Sequence, residues 1–231
     1  MHSYTFYFAG ELFSQKHLTG NALLAQAIYT LSEGKYLPIL PQDLEFREIT
    51  PQAIRDQDLL SLLQCDLALF NFDGPELDSG TVVEFMFAKF ADIPSVLLRT
   101  DFREGGDQAG GGEPWNLMCS FYPRTETVLA SCLDTTTSAG HQRQSLDSYD
   151  ASILEQNLQA HQAAINLTAQ HIIDAFDQVI AEPSILRPDL ADAIYQHLLA
   201  VPNFKAPREE VEPLIQRALH QKRTKGLLPN S

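Results

Sequence analysis

The sequence predicts an α/β fold, a doubly wound parallel sheet with a C-terminal helical extension. Short apolar runs alternate with helix-like stretches through the first 130 residues, the order that builds a parallel sheet covered on both faces. The run Asp66–Phe72 (DLALFNF) is almost continuously apolar, as a central strand buried on both sides must be. Beyond residue 150 the strand signals stop and apolar residues recur at helical spacing.

Tyr4–Phe8 (YTFYF) reads as the first strand, ending at Ala9-Gly10. From His17 to Leu31, apolar residues at 18, 23, 24, 27, 28 and 31 make a helical stripe, and Gly34 closes it. Tyr36–Leu40 is a short strand that Pro38 and Pro41 confine to an edge or a strand end. Thr50-Pro51 opens a second helix with proline in its first turn, and Ile54, Leu59, Leu62 and Leu63 give it an apolar face. After the central strand, residues 80–91 read as a helix, Ser95–Leu98 as a strand and Thr127–Ala130 as a further strand. Residues 102–114 hold five glycines and read as a mobile loop. Ala151 to Ile180 read as one long amphipathic helix, and shorter helices cover Leu190–Leu199 and Glu209–His220. The expected division is a sheet domain over 1–133, a linker over 134–150 and a helical extension over 151–231. Sheets of this kind bind ligands at the C-terminal ends of their strands. That gathers Ala9–Phe13, Asp73–Gly80 and Arg99–Arg103 around one crevice.

Composition narrows the class of function. The 231 residues are 44% apolar and 20% charged, an ordinary globular profile. No run approaches the roughly 18 apolar residues of a membrane span, and MHSYTFYFAG lacks the basic start of a secretory signal. Cys65, Cys119 and Cys132 are sparse and odd in number, without CxxC spacing. They suggest thiols in a reducing, cytoplasmic setting rather than a disulfide frame or a zinc site. The histidines show no metal-binding spacing. A net charge of −14 without a Lys/Arg cluster argues against a nucleic-acid polymer and fits a small, nearly neutral substrate.

The densest polar cluster is FDGPELDSGTVVE at 72–84. Asp78 precedes a Ser-Gly helix start, where a carboxylate can cap free N–H groups. Glu84 follows six residues later among Val82, Val83, Phe85, Met86, Phe87 and Ala88, which leave little exposed face for an ordinary surface glutamate. A carboxylate in an apolar crevice is what nucleophilic glycosyl chemistry needs.

YFAGELF at 7–13, Asp58-x7-Asp66, LDSGTVVEFMFA at 77–88, TDFR at 100–103 and WNLM at 115–118 occur in a telling order. Over roughly residues 4–130 the chain resembles the nucleoside 2-deoxyribosyltransferases. That resemblance implies a flavodoxin-like sheet and transfer of 2-deoxyribose between nucleobases. It implies that Glu84 is the nucleophile of a covalent deoxyribosyl-enzyme, with Tyr7 beside it. It implies that Asp78 binds the sugar hydroxyls and that Asp58 contacts and protonates the base, with Asp56 a rival for that part. Gly10 and Phe13 fall in the substrate-binding loop. Asn116 and Met118 match residues that reach into a neighbouring subunit's site, so a homo-oligomer with shared active sites is expected. The partners implied are deoxynucleosides and free nucleobases, with no membrane, metal or organic cofactor.

The chain departs from the family in two ways. Phe85 follows the nucleophile where the family usually soon has glycine, and some 80 residues continue past the usual end near residue 150. Tyr122 and Tyr149 are candidates for the tyrosine that, in some members, completes the site. The alternatives are a deoxynucleoside or deoxynucleotide N-glycosidase and a non-catalytic nucleoside sensor on the same scaffold. Glu11 lies where the phosphate of a nucleotide would sit, which argues against the nucleotide.

Overall fold

The computed structural model describes residues 2–44, 50–103, 112–145 and 150–230. Tyr149 and most of the glycine-rich stretch 102–114 lie outside the described residues. The strands are β1 (Tyr4–Ala9), β2 (Tyr36–Ile39), β3 (Leu67–Asn71), β4 (Ser95–Arg99) and β5 (Thr125–Leu129). They form one sheet in the order β2-β1-β3-β4-β5, with every pairing parallel. This is the flavodoxin-like order, and its direction of winding reverses between β1 and β3. β2 tolerates Pro38 because it lies at the edge and pairs only with β1.

The helices are α1 (Gln15–Leu31), the short α2 (Pro41–Leu44), α3 (Pro51–Gln64), α4 (Ser79–Phe90), α5 (Cys132–Ser138), α6 (Ala151–Ala181), α7 (Ala191–Ala200) and α8 (Arg208–Thr224). Their starts follow from the sequence. Ser14 accepts from the His17 amide, Thr50 from Ala53 with proline in the first turn, and Asp78 from Thr81. The stretch expected as a linker opens with α5, capped by Ser131. No helix among the described residues is long and apolar enough to cross a membrane.

Strand alternation divides the apolar residues between two cores. Phe6 and Phe8 of β1 face one side, with Leu24 and Ile28 of α1 and Ile172, Phe176 and Val179 of α6. Tyr7 and Ala9 face the other, with Leu62 and Leu63 of α3, Phe85 and Ala88 of α4, Tyr195 of α7 and Ile215 of α8. The helices after residue 150 therefore cover both faces of the sheet: α6 packs beside α1, and α7 and α8 pack on α3 and α4. Phe176 is fully buried, its ring centroid 5.2 Å from Phe6 and 4.9 Å from Tyr36.

Polar ties hold this C-terminal part at the N-terminal ends of the strands. Arg124 and Asp92 form a buried ion pair at 2.9 Å. Asp92 also accepts from Ser184 and the Ile185 amide. Lys225 pairs with Asp66 at 2.6 Å, and the buried Lys222 ammonium donates to the Cys65 carbonyl. Truncating Phe176 to alanine would leave a cavity between α6 and the sheet. The expected loss is about 3–5 kcal/mol of unfolding free energy, read as a lower urea midpoint with an unchanged slope.

Candidate active site

Tyr7 is the residue of β1 that points toward α4. It is fully buried, and its Oη donates to Glu84 Oε1 at 2.6 Å. Glu84 stands in the second turn of α4. The register of that helix is set by Asp78, whose Oδ2 accepts from the Thr81 amide at 2.8 Å and the Thr81 hydroxyl at 3.0 Å. The next residue, Phe85, is fully buried and turns into the core, with ring centroids 5.3 Å from Phe70, 5.8 Å from Phe72 and 5.4 Å from Tyr122. This aromatic packing locks α4 onto the sheet.

The carboxylates act on one another. Burial pushes the Glu84 carboxyl up to about 7, and the Asp58 and Asp78 charges push the same way. The Tyr7 hydrogen bond opposes this shift by stabilising the anion. Burial and the Glu84 and Asp58 charges hold the Tyr7 hydroxyl well above its ordinary range, so it stays protonated and donates. At neutral pH Glu84 is poised between acid and anion, the range in which catalytic carboxyls work.

Of the two acids near the middle of α3, Asp58 is the one whose charge is felt by Tyr7 and Glu84. Asp56 is buried elsewhere, ion-paired with Arg55 and accepting from the Lys205 amide at 2.7 Å. Gly10 sits where β1 comes close to β3, and a Cβ there would meet the Asn71 Cβ at 3.0 Å. Phe13 is 72% exposed in the loop beyond it. Asn116 caps a short 3-10 turn, its Oδ1 accepting from the Met118 amide at 3.0 Å. Asn116 and Met118 are both exposed. The Tyr122 hydroxyl donates to the Met118 carbonyl at 3.2 Å.

Asp73, placed by the sequence at the crevice without a role of its own, is a structural tie. Its carboxylate accepts from the Thr100 amide at 2.5 Å, the Thr100 hydroxyl at 2.6 Å and the Asp101 amide at 2.8 Å, tying the ends of β3 and β4 together. The signal available for it was an Asp-Gly directly after the central strand. Asp101 pairs with Arg103 at 2.5 Å and anchors the loop after β4. Among the described residues no group of three or more His, Cys, Asp or Glu is arranged to hold a metal ion.

Residues 6–118 match the family described as nucleoside 2-deoxyribosyltransferase. No curated protein matches the chain. Among solved structures, a conserved protein from Enterococcus faecalis V583 is 23% identical over 76% of this chain and 98% of its own, with a TM-score of 0.45. A 2-deoxyribosyltransferase from Bacillus psychrosaccharolyticus is 18% identical over 50% of this chain and 79% of its own, with a TM-score of 0.40. A 2-desoxiribosyltransferase from Leishmania mexicana is 22% identical over 53% of this chain and 89% of its own, with a TM-score of 0.41. The matched span lies within the stretch that carries the motifs and includes Tyr7, Asp58, Asp78, Glu84, Asn116 and Met118. The part of the chain that resembles the nucleoside 2-deoxyribosyltransferase family is thus residues 6–118, which hold most of β1, all of β2 to β4 and the Tyr7–Glu84 pair.

Proposed function

We propose that this chain transfers 2-deoxyribose between nucleobases by a retaining double displacement through a deoxyribosyl ester of Glu84. The observation that carries the reading is the 2.6 Å hydrogen bond from buried Tyr7 to one oxygen of Glu84. The tyrosine fixes the carboxylate and leaves its second oxygen for attack. That oxygen forms a bond to C1′ as the C1′–N bond breaks. The departing electron pair stays on the base nitrogen, which takes a proton from the Asp58 carboxyl directly or through water. In the second half, a ring nitrogen of the incoming base attacks C1′ from the opposite face, Glu84 departs as carboxylate, and the nitrogen's proton returns to Asp58. Two inversions give net retention. The absence of a 2′-hydroxyl makes the oxocarbenium-like transition state easier to reach. Asp78, already holding the start of α4, would receive the sugar hydroxyls with its remaining acceptor capacity. Gly10 and Phe13 would line the substrate loop. Asn116 and Met118, exposed on their turn, would act in the site of a second copy of the chain.

The test is base exchange from deoxyinosine to adenine or cytosine, followed by chromatography. Wild-type protein is expected to form the new deoxynucleoside. Glu84→Ala should lose several orders of magnitude in rate with its fold intact. Near-wild-type exchange in that variant would overturn the mechanism.

The nucleophile must be ionised, so on the acid side the rate should climb about tenfold per pH unit toward a midpoint near 7. Tyr7→Phe removes the bond that favours the anion, and the midpoint should move up by about one to two pH units, given the 1.5–3 kcal/mol typical of hydrogen bonds to charged groups. A pH–rate profile of the two proteins checks both outcomes.

Glu84 also has a stability signature. Its folded-state value is raised above the ordinary 4.5, so the folded chain binds the proton more tightly. That contribution is present below 4.5 and is lost as pH rises to about 7. Glu84→Gln should therefore be more stable than wild type by roughly 1–3 kcal/mol at pH 8, with most of the gain gone at pH 5, as read by thermal melts.

A further inference from the structure

The loop between α7 and α8, residues 201–207, lies outside the span that resembles the family, yet it grips α3. The Arg55 guanidinium donates to the Pro202 carbonyl at 2.8 Å, and the Lys205 amide donates to Asp56 Oδ2 at 2.7 Å. Arg55 Nε donates to Asp56 Oδ1 at 3.0 Å, so both oxygens of that carboxylate are engaged. In the first turn of α3, Gln52 Nε2 donates to the Asn203 carbonyl at 3.3 Å. Asp56 is buried, and a buried carboxylate that loses a partner is left as an uncompensated charge. The grip is therefore strict about geometry.

It holds the part of α3 that leads into Asp58. The apolar side chains that α3 buries, Leu59, Leu62 and Leu63, all follow Asp58. Ahead of it, Asp56 is the one buried residue of the helix. A surface helix is ordinarily seated by an apolar stripe; the first two turns of α3 are seated instead by an ion pair and hydrogen bonds to the C-terminal loop. At about 100° per residue, Asp56 and Asp58 stand about 200° apart around the helix. Asp58 turns to the side of Tyr7 and Glu84, which feel its charge, and Asp56 to the side of the loop. Any rotation of these turns that releases one acid displaces the other. A proton donor tolerates little displacement, because it must lie within hydrogen-bond reach of the atom it protonates.

We propose that the α7–α8 loop, acting through Arg55 and Asp56, positions Asp58 for proton transfer to the departing base. Asp56 is then a positioning residue, and the helical extension contributes to the chemistry without touching the substrate. The inference rests on the reading of Asp58 as the base-side acid.

The test compares two donors, deoxyinosine and its N7-methylated form, by the rate of base release from full-length protein held in excess. The methylated base is already cationic. When its C1′–N bond breaks, the electron pair neutralises the ring and no proton is needed. Asp56→Ala is expected to slow release from deoxyinosine about a hundredfold and release from the methylated donor less than about threefold. Asp56→Asn, which keeps an oxygen for the Lys205 amide, should recover most of the loss. Should Asp56→Ala not fold, Arg55→Ala removes only a half-exposed side chain and is expected to show the same selectivity at about tenfold. An equal loss on both donors would make the grip merely structural and overturn the proposal, as would no loss on either. Asp58→Ala tests the reading beneath it and should also slow deoxyinosine selectively. If it does and the Asp56 and Arg55 variants do not, the positioning role fails and the acid stands. If Asp58→Ala slows both donors alike, or neither, the acid assignment falls and the positioning role falls with it.

Discussion

A carboxylate facing an apolar sheet must be held in place or it will take a proton and turn away. The Tyr7–Glu84 hydrogen bond supplies the hold, and much of the surrounding structure keeps its two partners in register. β1 is an inner strand of the sheet, so Tyr7 has no freedom to shift along it. Phe85 is packed into the aromatic core, so α4 cannot rotate Glu84 away. Asp78 fixes where that helix begins. The two negative neighbours make the anion harder to form, and the tyrosine makes it easier; the balance lies near neutrality. A single phenol oxygen therefore connects the packing of two elements to the ionisation of the site.

The opposite end of the sheet carries a different kind of polar group. Lys89 is buried and donates to the Arg124 carbonyl at 3.1 Å and to the Thr125 hydroxyl at 2.9 Å, and burial lowers its ammonium to about 7. Arg124, Asp92, Lys222, Lys225 and Asp66 lie in the same half of the molecule and join the last helices to the strand starts. Buried charges of this sort are poor sources of net stability but strict about geometry, because a displaced partner leaves an uncompensated charge behind. The Asp92–Arg124 and Asp66–Lys225 pairs thus anchor the last helices at the N-terminal edge of the sheet.

How much of this was legible in the sequence depends on the range of the interaction. The inner strands announced themselves as apolar runs, and Asp78-Ser-Gly marked the start of α4 because capping is a three-residue matter. Glu84 stood out because its neighbours left no polar face. Asp58 and Asp56 could not be separated in the same way. They lie two residues apart on one helix, and what distinguishes them is the Lys205 amide, which reaches Asp56 from nearly 150 positions away. The start of β5 was displaced by two residues because it is an edge strand, with Leu129 61% exposed, and carries little apolar signal. The stripe on α6 was plain, but a stripe does not say which surface it will cover. A cavity of about 690 Å³ between α1 and α6 was invisible for a related reason: those helices lie more than 100 residues apart in the chain.

The length of α6 has a further consequence. Its 31 residues span about 46 Å at 1.5 Å per residue, whereas the strands, five or so residues long, cover less than half of that. Its C-terminal half lies against the sheet, with Phe176 beside Phe6 and Tyr36. Its first turns, where Leu154 and Leu158 are 54% and 70% exposed, overshoot the ends of the strands like a parapet. The α1–α6 face of the sheet therefore carries more helix than the strands need, and Leu154 and Leu158 stand on that surplus.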